Sequence, residues 1–312
     1  MRDAYGETLV ALGAKDKNVV VLDADLSGST KTGLFAKKFP DRFFNFGIAE
    51  QNMLGAATGL ALSGKTVFAS TFAMFATTRA LDQFRNALAF SKANVKVVVT
   101  HAGLMTGPDG ASHQSLEDLA VARTLPNLTV IAPADAVETS QVIELAARER
   151  GPFYVRLVRE KTPLLYDEKY RFKLGKASVL QDGRDLMVFA IGPMVAEALK
   201  ARGLLKAQGF DIGVVNTASI KPFDAQTVVK YAKRDGFLFT VEDHSVLGGL
   251  GSVVCEVLAR EQPAYVYRHG THDLFGESGE SKPLYKKYEL DAEGIALHVK
   301  KALTYKQKVL RR

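Results

Sequence analysis

The octapeptide Phe46-Gly-Ile-Ala-Glu-Gln-Asn-Met53 sets one carboxylate, Glu50, among small and apolar residues. A strand-like run, Arg42 to Phe46, precedes it, and a Gly- and Ala-rich helical run, Met53 to Leu62, follows. A glutamate shielded from water in such a place can hold a strong hydrogen bond to a ligand. It can equally be an acidic residue in a helix's first turn, favoured by the macrodipole. Eight residues do not choose between these. The residues downstream favour a ligand.

Ligands of open α/β sheets bind beyond the carboxyl ends of the strands. Polar clusters recur at those places. Asp23-Ala-Asp-Leu-Ser-Gly-Ser29 follows the first strand candidate, Glu50 the second and Phe72-Ala-Met-Phe75 the third. His101 to His113 follows the fourth, and Arg159 ends the sixth. One sheet edge thus gathers carboxylates, aromatic rings, two histidines and an arginine, which points to a site. The loop Gly103 to Gln114 is too glycine-rich and polar for packing alone. Asp109 and His113 stand four apart and could meet around one hydroxylated substrate; helix capping by Asp109 or Ser112 is the alternative.

Other chemistries fit less well. His, Asp and Glu occur without H-E-x-x-H or paired-cysteine spacing, which argues against a metal cage built by this chain. There is no G-x-S-x-G elbow. Gly248-Gly-Leu-Gly251, after Glu242-Asp-His244, fits neither nucleotide-binding glycine pattern. It reads as a tight strand-to-helix turn whose helix N-terminus could face a partner.

The elements that must position these residues alternate between strand and helix. Strand candidates are Asn18–Leu22, Arg42–Phe46, Thr66–Ser70, Val95–His101, Leu128–Ala132 and Phe153–Val158, apolar enough for buried parallel strands. Helix candidates between them are Ala4–Gly13, Ile48–Ser63, Phe72–Ser91, Ser115–Arg123 and Ala136–Arg148, the last capped by Asp135. This alternation predicts a doubly wound parallel sheet. The polar stretch Lys161 to Arg184 reads as a linker with room for one extended piece. A second, smaller α/β unit follows, with strands Leu186–Ile191, Asp211–Asn216, Phe237–Val241 and Ala264–Arg268. Its helices are Pro193–Gln208, Asp224–Lys233, Gly251–Glu261 and Ala292–Leu303.

Length and composition agree with this layout. The chain has 312 residues, 47% of them apolar, enough for two α/β cores. No apolar run approaches the roughly 20 residues of a membrane span, and the first residues have no signal-peptide stretch, so a cytoplasmic location is expected. The single cysteine, Cys255, has no partner for an internal disulfide and reads as core packing. The net charge of +7 is dispersed except at Lys306-Gln-Lys-Val-Leu-Arg-Arg312, and no nucleic-acid motif accompanies it. A few cations facing phosphorylated substrates suit it better.

Taken together, these residues resemble the thiamine-diphosphate enzymes of the transketolase family. The resemblance rests on Ala24-Asp-Leu-Ser-Gly-Ser29, Gly47-Ile-Ala-Glu50, Ser70-Thr-Phe-Ala-Met-Phe75, Thr100-His101, Gly107-Pro-Asp-Gly-Ala-Ser-His-Gln114, Arg159 and Phe275-Gly-Glu-Ser278. It covers nearly the whole chain but corresponds to the C-terminal half of a full-length transketolase. It implies a pyrimidine-binding domain at 1–165, a linker at 166–182 and a transketolase C-terminal domain at 183–312. The family's amino-terminal half, with its diphosphate-binding Gly-Asp-Gly segment and metal-binding Asn, has no match here; Pro108-Asp-Gly110 lacks the first glycine and the Asn. Diphosphate and metal, Mg²⁺ or Ca²⁺, are then expected on a separate subunit, in an α2β2 heterotetramer. Met1 followed at once by Arg2 suggests a natural start near the domain boundary.

The resemblance also implies roles. Glu50 would hydrogen-bond a ring nitrogen of the aminopyrimidine and favour its imino tautomer, from a shielded position where it holds or shares a proton. Phe72 and Phe75 would wall the pyrimidine pocket, and Asp25 and Leu26 would border the cofactor near its thiazolium. The cofactor is the electron sink of the reaction. His113 and Asp109 would bind donor hydroxyls, with His113 counted among the catalytic groups. Arg2, Ser29, His101 and Arg159 would hold the distal phosphate. The implied activity is transfer of a two-carbon ketol unit between sugar phosphates, as in the pentose phosphate pathway. A 1-deoxyxylulose-5-phosphate synthase is the near alternative, but it normally carries Arg where Phe75 and His101 stand. The β subunit of 2-oxo-acid dehydrogenases is a separate chain of this size, but its loop lacks the Asp-Gly-Ala-Ser-His-Gln pattern. Thr78 stands where a pocket tyrosine is usual, which leaves an altered donor, sulfonated or unphosphorylated, open. A non-catalytic scaffold would need none of Glu50, His113, Asp109 or the two phenylalanines.

Overall fold

A computed structural model describes residues 1–310; Arg311 and Arg312, at the end of the basic terminus and of the expected second domain, lie outside it. Two sheets carry the chain. The first contains β1 (Val19–Asp23), β2 (Phe43–Asn45), β3 (Thr66–Phe72), β4 (Val95–Thr100), β5 (Thr129–Ile131) and β6 (Phe153–Arg156). The second contains β7 (Ser178–Gln181), β8 (Leu186–Ala190) and β9 (Ile212–Asn216). The short β10 (Ser219–Lys221) comes next in the chain, and the second sheet is completed by β11 (Phe237–Ser245) and β12 (Tyr265–Thr271).

The strand orders are β10-β5-β6-β4-β3-β1-β2 and β12-β11-β8-β9-β7. All pairings are parallel except β10 with β5 and β7 with β9. Central strands β1, β4 and β6 are buried along their length, as helices on both faces require. The expected doubly wound parallel sheet with a second α/β unit is the observed fold.

Three departures matter. First, β2 is an edge strand with two exposed residues rather than a buried one. Second, the single helix expected over Phe72–Ser91 does not form. β3 runs on to Phe72, and two π-helical segments follow, Phe75–Arg79 and Gln83–Phe90. Within the first, Ala80 N donates to Phe75 O at 3.1 Å. The hydroxyls of Thr77 and Thr78 donate back to Ala73 O and Met74 O, a local competition that widens helical turns. Third, β10 leaves the second unit to extend the first sheet, with Ser219 opposite Ile131.

Buried polar contacts also join the two units. Arg156, held by Asp118 Oδ2 at 2.8 Å within the first unit, donates through Nη2 to Asp243 O of the second at 2.9 Å. Asn216 Nδ2 donates to both oxygens of Glu138 at 3.0 Å. Asp135 caps its helix as expected, accepting from Glu138 N at 2.8 Å. Its other oxygen accepts from Leu165 N and Tyr166 N, pinning the connecting segment. Cys255 is only half-buried, on the helix Leu250–Glu261. At that helix's N-terminus Glu242 accepts from Leu250 N at 2.6 Å and Gly251 N at 2.8 Å. Burial raises Glu242 to about 7. Gly249 is required there, since a Cβ would lie 1.9 Å from a Glu242 oxygen.

Candidate active site

The candidate residues sit at the carboxyl ends of β1 to β4 and just past β6. Glu50 is the first residue of the helix Glu50–Leu62, and its side chain is 1% exposed. Its partner is Arg79, a residue absent from the sequence-based expectation. Arg79 Nη1 donates to Glu50 Oε1 at 3.0 Å and Oε2 at 2.9 Å. The same guanidinium lies over the Phe75 ring at 4.4 Å from its centroid. The π-helical turn Phe75–Arg79 sets this geometry, aiming the Arg79 head at Glu50 and across the Phe75 ring.

An aromatic box adjoins the pair. Phe72 and Phe75 lie nearly parallel, 12° apart with centroids at 5.8 Å. His101 also stacks on Phe72, with centroids 3.8 Å apart. His113 meets Phe75 edge-on at 5.3 Å and Phe72 at 6.1 Å. His101 is 3% exposed and adopts φ +55°. Burial, followed by the nearby Arg2 and Arg159 cations, pulls it down to about 3, so it is a neutral ring at ordinary pH.

Arg2 Nη1 donates to Ser29 O at 2.7 Å, so the Ser29 carbonyl, not its hydroxyl, meets Arg2. Burial and Arg159 lower the Arg2 guanidinium from its usual value. Arg159 Nη1 donates to Thr106 O at 2.8 Å and to Asp109 Oδ1 at 3.3 Å. Asp109 is therefore drawn to Arg159, while His113 Nδ1 pairs with Ser112 Oγ at 2.9 Å.

Asp25 is exposed, at φ +64°. Asn45 holds it: Asn45 Oδ1 accepts from Asp25 N and Gly47 N at 3.0 Å, and Asn45 Nδ2 donates to Asp25 Oδ1 at 3.2 Å. Leu26 N donates to Asp23 Oδ1 at 2.6 Å, and Asp23 Oδ2 accepts from Thr30 and Thr32 hydroxyls. Asp23, Asn45 and Arg79 are thus the organisers that sequence reasoning missed. Asp23 and Asn45 stood inside or beside the quoted segments, but nothing in their spacing announced a bracing role.

Arg79 also tests whether the pocket suits an aminopyrimidine. It donates N–H groups to Glu50 and lays a planar cation on Phe75, the two contacts such a ring would need. The residues present therefore fit that group. Among the described residues no set of three His, Cys, Asp or Glu side chains is disposed to hold a metal, and no helix is long and apolar enough to cross a membrane.

Residues 1–163 match the family described as transketolase, pyrimidine binding domain, and residues 175–295 match transketolase, C-terminal domain. The chain belongs to the transketolase family. Transketolases as a family use thiamine diphosphate and a divalent metal. A putative transketolase C-terminal section from Methanocaldococcus jannaschii is 51% identical over 302 residues, covering 96% of this chain and 95% of that protein. The 6-deoxy-6-sulfo-D-fructose transketolase subunit SqwH of Clostridium sp. (strain MSTE9) is 38% identical, over 95% of this chain and 92% of that one. Among solved structures, a split-gene transketolase captured as an inactive β4 tetramer superposes with a TM-score of 0.90 at 49% identity, covering 98% of each chain.

Proposed function

We propose that this chain is the C-terminal subunit of a split transketolase, active only with a diphosphate-binding partner subunit in an α2β2 assembly. Residues 1–165 form its pyrimidine half and 183–312 its C-terminal domain, and the 166–182 linker between them carries β7 into the second sheet. The observation that carries this reading is Glu50, buried and hydrogen-bonded by a planar cation stacked on Phe75. Thiamine diphosphate, when bound, supplies the nucleophilic carbon and the electron sink for moving a two-carbon ketol unit.

The chain's own residues do the rest. Glu50 hydrogen-bonds a pyrimidine ring nitrogen and holds a proton at that atom. Phe72 and Phe75 fix the ring's plane, and Asp25 and Leu26 border the cofactor at the β1 end. His113 and Asp109 orient donor hydroxyls, His113 from its edge-on seat against Phe75. Arg2, Arg159, the neutral His101 and Ser29 receive a distal phosphate; two cations close to one buried ring suit a dianion. Mg²⁺ or Ca²⁺ and the diphosphate belong to the partner. The relative captured as β4 is inactive in that form, which supports a partner requirement.

The test is reconstitution. This chain, alone and mixed with the separately expressed diphosphate-binding subunit, is supplied with thiamine diphosphate and Mg²⁺. Xylulose 5-phosphate plus ribose 5-phosphate are then assayed for sedoheptulose 7-phosphate. Product from the mixture alone is expected; product from this chain alone, or none from a formed complex, overturns the reading. The similarity to a sulfofructose transketolase subunit favours one second reading, a sulfonated donor. Running 6-deoxy-6-sulfofructose in parallel separates the two by their kcat/KM.

A further inference from the structure

The loop Gly103–Gln114 carries Asp109 and His113, yet much of what holds it comes from the other domain. Asp243, on β11, is buried, and its Oδ1 accepts from Leu104 N at 2.9 Å. Its Oδ2 accepts from the Tyr285 hydroxyl at 2.8 Å. Its backbone carbonyl accepts from Arg156 Nη2 at 2.9 Å, and Arg156 is itself paired with Asp118. Ser281 Oγ donates to Met105 O at 3.3 Å. At the loop's far end, Gln114 Nε2 donates to Glu277 O at 2.9 Å and back to Gly107 O at 3.2 Å. The second domain therefore grips the loop near both ends.

The sequence is shaped around this grip. Gly103 has φ +71°, and a Cβ there would stand 2.2 Å from Asp243 Oδ2. A buried carboxylate is costly unless its hydrogen bonds are made, and an apolar side chain would fill the space at lower cost. Burial raises the Asp243 carboxyl, while Arg156 and the Leu104 N–H oppose that shift. The carboxylate's partners are the start of the sugar-binding loop and the tyrosine that orients it.

We propose that Asp243, oriented by Tyr285 and Arg156, is a positioning residue that sets the placement of the loop bearing Asp109 and His113. The C-terminal domain thereby acts on donor binding without touching the donor. This rests on the proposed function, in which that loop binds the sugar.

The experiment compares Asp243→Ala, Asp243→Asn and Tyr285→Phe in the assembled enzyme, and follows amide hydrogen exchange in this full chain. Donor KM should rise about tenfold in Asp243→Ala, since small displacements of positioning groups have large kinetic effects. Cofactor Kd should stay within about twofold, because Glu50, Phe72 and Phe75 lie off the loop. Asp243→Asn keeps an acceptor for Leu104 N and should restore most of the loss. Exchange over 103–114 should quicken in Tyr285→Phe and more in Asp243→Ala, while β1, β3 and β4 stay protected. Should Asp243→Ala fail to fold, Tyr285→Phe alone decides. Unchanged exchange over 103–114, or equal losses in kcat and cofactor affinity at constant KM, overturns the proposal. An assembled wild type without ketol transfer would instead overturn the functional reading, and the exchange experiment would still judge the grip.

Discussion

Removing the Arg79 guanidinium should tighten cofactor binding. In this chain Arg79 already occupies both oxygens of Glu50 at 2.9–3.0 Å and one face of Phe75. An incoming aminopyrimidine must displace it, so its affinity is reduced by whatever the internal pair is worth. The pair lies between two limits. Exposed ion pairs contribute about 0–1 kcal/mol, and breaking a buried one costs about 3–5 kcal/mol. Here the Glu50 side chain is 1% exposed and that of Arg79 is 44% exposed, which places the pair near ~1.5 kcal/mol. In Arg79→Ala the unliganded carboxylate loses that amount, and a ring nitrogen arriving at Glu50 no longer competes. The Kd of thiamine diphosphate for the assembled enzyme should fall about tenfold. The chain alone should lose the same stability, about 2 °C in Tm for 312 residues. Calorimetric titration at fixed Mg²⁺ and salt, with Arg79→Lys alongside, reads the first quantity. A Kd that is unchanged or weaker in Arg79→Ala refutes the argument and makes Arg79 a ligand-binding residue rather than a competitor.

Glu50→Gln should lower turnover by about 10²–10⁴-fold while far-UV circular dichroism and assembly persist; retention of most activity would remove Glu50 from proton handling. Arg159→Ala should raise KM for phosphorylated sugars much more than for unphosphorylated ones, and an equal rise on both would assign it only to holding Thr106 and Asp109. His101, held near 3 in the folded chain against about 6.5 unfolded, binds fewer protons folded than unfolded between those values. Its contribution to stability is complete above about pH 6.5 and is lost as pH falls toward 3. His101→Phe, which keeps a ring against Phe72, should flatten that part of the stability–pH curve, and an unaltered slope would show that other groups set it.

The buried parallel strands were legible because β-branched runs of four to seven residues recur between helical patterns. The carboxyl ends of those strands followed as the place for a candidate site for the same reason. What escaped was non-local. β10 is three residues, Ser219–Lys221, with no periodicity to announce a strand; its partner is in the other domain. The π-helical turns hid inside an apolar period that reads as ordinary helix, and the Thr77 and Thr78 back-bonds accompany only the first of them. Arg79 drew no notice because the wide turn that aims it at Glu50 was not foreseen. Glu242 was passed over because the glycines after it drew attention as a would-be anion site, whereas the anion that fills it is Glu242 itself.

The site residues share one more pattern. Sequence reasoning faced each of them toward a ligand, and in the unliganded chain several also hold one another. Glu50 holds Arg79, Asp109 holds Arg159, and Arg2 holds the Ser29 carbonyl. A site full of unpaired charges would be costly to keep folded. A site of internal pairs is stable before any ligand arrives, and binding there becomes an exchange of partners. On the proposed function, a phosphate would compete with Asp109 for Arg159, and a pyrimidine would compete with Arg79 for Glu50. Affinity then depends on how far the ligand's geometry exceeds that of the residue it displaces, so discrimination comes from that difference. A sulfonate and a phosphate differ in charge and in acceptor geometry, and the Arg159–Asp109 pair is where this chain would weigh that difference.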